Sequence, residues 1–280
     1  MTHEELFSHI QAKSSYLCVG LDSDINRLPG HLLKEKDPVF AFNKQIIDAT
    51  IDYAVAYKPN LAFYESRGAA GWESLARTME YLPDDVFTIS DAKRGDIGNT
   101  SRQYAITFFE QFNFDAVTLS PYMGHDTVEP FLSYPDKWAV LLALTSNPSN
   151  SDFEQLPVYD NSDFFNIVPY RLYEMVIRKS LTWPGSERLM YVVGATEAKA
   201  LKRIRNLAPD NFLLVPGVGA QGGSLEEVSA NGMNKQCGLL VNASRSIIFA
   251  GEGEDFAAAA AREAARLRDL MAGYLDKYIA

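Results

Sequence analysis

Asp91, Lys93 and Asp96 stand close together in residues 86–100, V-F-T-I-S-D-A-K-R-G-D-I-G-N-T. A lysine flanked by carboxylates stays protonated, because nearby opposite charge favours the charged form. Such a group is a proton donor rather than a free-amine nucleophile. The first half of the stretch is apolar and β-branched, as in a buried strand, and the charges begin where that strand should stop. If extended geometry persists through Lys93, its side chain and that of Asp91 point to one side, a carboxylate beside an ammonium. Asp96 follows Gly95, where the backbone is free to turn, so its carboxylate is expected to aim back at the same lysine or at a neighbouring chain. Solvated loop charges can show the same spacing, so the surrounding sequence has to decide.

The pattern of an apolar run ending in polar groups recurs along the chain. Y-L-C-V-G-L-D closes on Asp22, A-V-A-Y-K-P-N on Lys58 and Asn60, A-V-T-L-S on Ser120, and W-A-V-L-L-A-L-T-S on Thr145 and Ser146. L-M-Y-V-V-G, F-L-L-V-P-G and G-L-L-V-N-A-S complete eight strand candidates. Between and around them, helices are expected at about residues 4–12, 38–53, 71–81, 100–112, 125–132, 164–180, 197–207, 225–229 and 255–278. Residues 147–163, rich in Asn, Ser, Asp and Pro, read as one long irregular loop, a feature usually tied to function or disorder. Near-continuous apolar strands alternating with helices imply parallel strands buried on both faces. The economical closure is an α/β fold of the (β/α)8 barrel type, a single domain over residues 1–280 with an N-terminal helix. Barrel loops after the strands line one mouth, and the charges of this chain gather after strands. An open doubly wound sheet is the rival, since it too places ligands at strand C-termini.

Composition narrows the partners. With 47% hydrophobic residues in 280, the chain can bury a large core. It offers no apolar span of membrane length, and its acidic first residues do not suit a secretory signal, so a cytoplasmic location is expected. Cys18 and Cys237 form neither a disulfide framework nor a metal spacing and read as buried or incidental thiols; the four histidines offer no zinc motif. A net charge of −10 argues against a general grip on nucleic acid, so an anion must be held by a local donor cluster.

Such a cluster is suggested by P-G-V-G-A-Q-G-G, residues 216–223, after the seventh strand. Gly217, Gly219 and Gly222 would let backbone N–H groups approach an anion, with a helix N-terminus behind them. Alone, the loop could equally be a tight turn. The eighth strand, however, runs into V-N-A-S-R, which brings Arg245 beside that loop in a barrel, at the usual phosphate-binding corner. Gln221 is the natural side-chain donor between them. The expected ligand is a phosphorylated small molecule with its reactive end at Lys93.

D-A-K-R-G-D-I-G-N-T resembles the signature of the orotidine 5′-phosphate decarboxylase family, and P-G-V-G-A-Q-G-G with V-N-A-S-R resembles its phosphate site. The similarity runs from Asp22 to Arg245, and Y-K-P-N, L-T-S-N-P and the length point to the longer bacterial, type 2 branch. The resemblance implies cofactor-free and metal-free loss of CO2 from orotidine monophosphate, giving uridine monophosphate, the last step of pyrimidine nucleotide synthesis. It implies that Lys58, Asp91, Lys93 and Asp96 form an alternating charged network with Lys93 as general acid. Asp91 would then face the substrate carboxylate, and Lys58 would hold Asp91 and the ribose. Asp22 and Asn60 would contact the ribose or the network, and Ser146 the pyrimidine. Asp96 and Thr100 would complete the site of a partner subunit in a homodimer. The loop after the fifth strand would close over the ligand and bring Gln155 towards the phosphate. Two rivals stay open: a barrel lyase that holds Mg²⁺ on Asp22 and Asp91, and a non-catalytic binder of phosphorylated ligands on the same fold.

Overall fold

The computed structural model describes residues 1–159, 169–196, 198–218 and 222–279. Its centre is a closed, all-parallel barrel of eight strands. They are β1 Leu17–Leu21, β2 Ala54–Pro59, β3 Phe87–Arg94, β4 Ala116–Leu119, β5 Trp138–Leu144, β6 Leu189–Val193, β7 Leu213–Pro216 and β8 Leu239–Ala243. Each strand pairs with the next, and β8 closes on β1 with Leu17 opposite Val241 and Cys18 opposite Asn242. This is the (β/α)8 barrel expected from the alternation, and the open-sheet rival is set aside by the closure. β1, β2 and β8 are buried along their whole length, which accounts for runs that are apolar on both faces.

Local signals start the helices where the sequence places them. Thr2 and Glu5 form a capping box for His3–Lys13, Asp37 accepts the Phe40 N–H ahead of Pro38–Thr50, and Ser224 caps Leu225–Gly232. Two expected helices differ. The one expected at about 100–112 begins earlier, as Gly98–Ala105, and passes into a wider π-type turn, Ile106–Gln111, where the consecutive rings of Phe108 and Phe109 are both buried. The one expected at 164–180 is seen as Leu172–Ser180; 164–168 lie outside the described residues, and Tyr170–Arg171 pairs, antiparallel, with Pro157–Val158. The expected loop at 147–163 is correspondingly less irregular: Pro148–Asp152 is a 3₁₀ turn and Pro157–Val158 a strand, while 160–163 lie outside the described residues.

At the N-terminal end of the strands, the rings of His3, Phe87, Trp138 and Phe212 pack against one another with centroids 4.7–6.2 Å apart. Under β7 and β8, the side chain of Arg205 is 8% exposed and donates to five carbonyls, those of Ala208, Pro209, Asn211, Gly232 and Gly238. These close the C-termini of helices Ala198–Leu207 and Leu225–Gly232 and the entries to both strands, where a cation suits the orphan carbonyls. Cys18 and Cys237 are free and buried, as expected.

Candidate active site

At the opposite end, where the strands stop, Lys58 and Asp91 meet. Lys58 Nζ is 2.7 Å from Asp91 Oδ2, and Lys93 Nζ is 2.5 Å from Asp91 Oδ1, so one carboxylate holds two ammonium groups. The pairing is built by strand register. A bridge between Asn60 and Asp91, with the Leu61 N–H donating to Asp91 O at 3.2 Å, carries the β2–β3 ladder beyond the end of β2. The extended geometry does not persist through Lys93, however. Its φ is +49°, so a left-handed turn, rather than strand alternation, folds the ammonium back onto Asp91.

The two lysines differ in access: the Lys58 side chain is 5% exposed and that of Lys93 51%. Burial on its own would lower the Lys58 pKa, but the Asp91 and Asp22 carboxylates outweigh it and the net shift is upward. Burial would raise Asp91; Lys58 and Lys93 reverse this and bring it to about 2. Lys58 and Asp91 are therefore both charged at neutral pH, and Lys93 is the lysine open to a ligand.

Two cavities share Lys58, Asp91 and Pro216 and form one bent cleft. The first, of about 140 Å³, is lined by Asp22, Asn60, Gly217, Ser244 and Arg245. Gly217 takes φ +98°, which a side chain would oppose, and faces the same cavity as Arg245, which starts the short helix Arg245–Ile248. Asp22 Oδ1 is buried without a hydrogen-bond partner among the described residues, an acceptor left for a ligand hydroxyl. The second cavity, of about 300 Å³, is lined by Lys93, Thr118, Ser146 and Asn147 over an apolar floor of Leu142, Val192 and Leu214. A larger cavity, of about 420 Å³, lies beside the aromatic plug at the other end of the barrel, away from these charges.

Of the residues expected from the sequence, Asp22, Lys58, Asn60, Asp91, Lys93, Ser146, Gly217 and Arg245 thus converge on the cleft. Gly222 follows it at φ +84°, and Gly219 and Gln221 lie outside the described residues. Asp96 does not turn back to Lys93: its Oδ1 accepts the Ile97 N–H at 2.8 Å, and among the described residues it makes no ion pair. Thr100 sits exposed at the start of Gly98–Ala105. Gln155 is not at the Arg245 cavity either, because its amide donates to Asn150 Oδ1 at 2.7 Å.

The sequence reading missed the residues that hold the site in place. Thr118 Oγ1 accepts the Lys93 N–H at 2.9 Å and lies 3.2 Å from Asp91 Oδ1. Glu154 accepts the Thr145 N–H at 2.7 Å, and the Thr145 hydroxyl lies 2.9 Å from the same carboxylate and 2.6 Å from Asn147 Oδ1, fixing the residue before Ser146. Gly194, after β6, lets Ser146 come close, since a Cβ there would stand 2.8 Å from the Ser146 backbone. A hydroxyl inside the otherwise apolar A-V-T-L run was the one legible signal for Thr118.

Comparison with known proteins bears on the fold and the family. The sequence profile of the family described as orotidine 5′-phosphate decarboxylase / HUMPS matches residues 15–261. An orotidine 5′-phosphate decarboxylase of Porphyromonas gingivalis is 58% identical over 274 residues, covering 97% of this chain and 96% of the relative. That of Phocaeicola vulgatus is 56% identical, covering 97% and 98%. The solved structure of Leishmania donovani OMP decarboxylase superposes with a TM-score of 0.78 at 36% identity, covering 96% of this chain and all of that one. With a barrel of this form and relatives matched over nearly its whole length, the chain belongs to the orotidine 5′-phosphate decarboxylase / HUMPS family.

Proposed function

We propose that this chain is a carboxy-lyase that converts orotidine 5′-monophosphate to uridine 5′-monophosphate, the final step of pyrimidine nucleotide synthesis, without metal or cofactor. One observation carries the reading: Lys93, held by Asp91, faces an apolar-floored cavity that continues into a second cavity beside Arg245. The pyrimidine occupies the first, next to Ser146. The ribose lies over Lys58, Asp22 and Asn60. The phosphate meets Arg245, Gln221 and the amides of residues 217–222.

The C6–carboxylate bond breaks with its electron pair left on C6, and neutral CO2 leaves over Leu142, Val192 and Leu214. A fixed ammonium where that charge develops, in a cavity poor in water, stabilises the carbanion without reorganisation. Lys93 then gives one Nζ proton to C6 and regains it from solvent. Lys58, buried, keeps Asp91 ionised and in place. Phosphate contacts far from C6 contribute binding energy that closing the loop after β5 can direct to the chemical step.

The reading includes a cytoplasmic homodimer in which Asp96 and Thr100 complete the partner's site. Asp96 has no cation of its own among the described residues, and the next residue, Ile97, is an apolar side chain 61% exposed. No helix among the described residues is long and apolar enough to cross a membrane. The experiment is to follow the orotate absorbance of orotidine monophosphate with EDTA-treated protein. Its loss, with release of uridine monophosphate, is expected. No loss from protein that still binds uridine monophosphate would indicate a binder, and activity only with added Mg²⁺ a metal-dependent lyase.

A further inference from the structure

Lys93 carries a backbone conformation that a lysine keeps only under constraint. At φ +49° it lies in the left-handed region, where non-glycine residues persist when their surroundings hold them. Part of that hold is visible on the neighbouring strand, where Thr118 Oγ1 accepts the Lys93 N–H at 2.9 Å. A hydroxyl has one proton to donate, and two acceptors are in reach, Asp91 Oδ1 at 3.2 Å and Ser90 O at 3.5 Å. The nearer one is ionised and makes the stronger bond. Thr118 is 1% exposed and lines the larger cavity of the cleft, so a single buried hydroxyl fixes both the Asp91 carboxylate and the Lys93 main chain.

We infer that Thr118 is a positioning residue of the decarboxylation: its hydroxyl sets the Asp91–Lys93 arrangement and through it the stance of the Lys93 ammonium at the reacting carbon. The inference rests on the reaction proposed above. A threonine kept only for strand preference and packing would behave differently. Valine has the same shape and β-branching, so Thr118→Val would leave such a role intact. If the hydroxyl matters, the same change strips the Lys93 N–H of its acceptor and frees one carboxylate oxygen.

The test compares wild type, Thr118→Val, Thr118→Ser and Thr118→Ala for kcat and KM on orotidine monophosphate, affinity for uridine monophosphate, and melting temperature. Thr118→Val is expected to lower kcat about a hundredfold, the scale of a misplaced catalytic group, with KM and product affinity little changed. Thr118→Ser, which restores the hydroxyl, recovers most of that loss. Should Thr118→Val not fold, Thr118→Ala takes its place against Thr118→Ser. Wild-type kcat in the hydroxyl-free variant overturns the inference. So does an equal loss in Thr118→Ser, which would assign the effect to the methyl group, and so does a parallel loss of product affinity. A wild-type protein that binds uridine monophosphate but does not decarboxylate removes the proposed reaction, and this inference with it.

Discussion

Lys58 and Lys93 share one carboxylate, yet only one of them reaches solvent, and this difference separates the buried cation from the proposed proton donor. Asp91 makes the arrangement sensitive to pH in a defined direction. Its carboxyl titrates near 2 in the folded protein and near 3.9 when unfolded, so its stabilising contribution is complete above about pH 4 and is lost as pH falls towards 2. The stability gap between wild type and Asp91→Asn, measured by urea unfolding at stepped pH, should narrow by about 2 kcal/mol across that window. A gap that stays constant would mean that Asp91 is not held by the two lysines in solution. Arg245 tests the other cavity. It is exposed and makes no ion pair among the described residues, so Arg245→Ala should leave stability within about 0.5 kcal/mol of wild type. It should nonetheless lower kcat/KM about a hundredfold, the scale of a lost charge-assisted phosphate contact.

Among the elements, the strand ends were legible because polarity changes abruptly there, and Asp22, Lys58, Asp91, Ser146 and Arg245 could all be placed from that change alone. The route by which Lys93 meets Asp91 was not legible, since strand alternation and a left-handed turn give the same pairing from one sequence. The segment after β5 was misjudged for a similar reason: Pro157–Val158 and Tyr170–Arg171 are too short to show a period, and they pair across residues with no local signal. That segment is tied to the site. Glu154 clamps Thr145, the Glu154 carbonyl accepts the Tyr173 N–H at 2.9 Å, and buried Glu174 pairs with Arg203 on helix Ala198–Leu207. Glu154→Ala should therefore loosen Ser146 and weaken binding of uridine monophosphate about tenfold, while ribose 5-phosphate, which lacks the base, binds as before. Equal weakening of both ligands in calorimetry would place the effect elsewhere.

At the scale of the whole molecule, the barrel divides its labour between two ends, charges at one and the aromatic plug of His3, Phe87, Trp138 and Phe212 at the other. Asp96 makes no ion pair among the described residues of this single chain. If it serves a partner, Lys93→Ala and Asp96→Ala are each inactive alone, but a mixed dimer of the two contains one site with both groups intact. Co-refolding the variants should restore activity above that of either parent, and its absence in verified mixed dimers would return Asp96 to a structural role. Arg205 has a further consequence at this scale. Because the carbonyls that end two helices and admit two strands all converge on one guanidinium, neither β7 nor β8 can fray by itself without stranding a buried cation. Their amides should exchange with deuterium together, as one cooperative unit, so the Arg245 end of the cleft is either wholly formed or wholly absent.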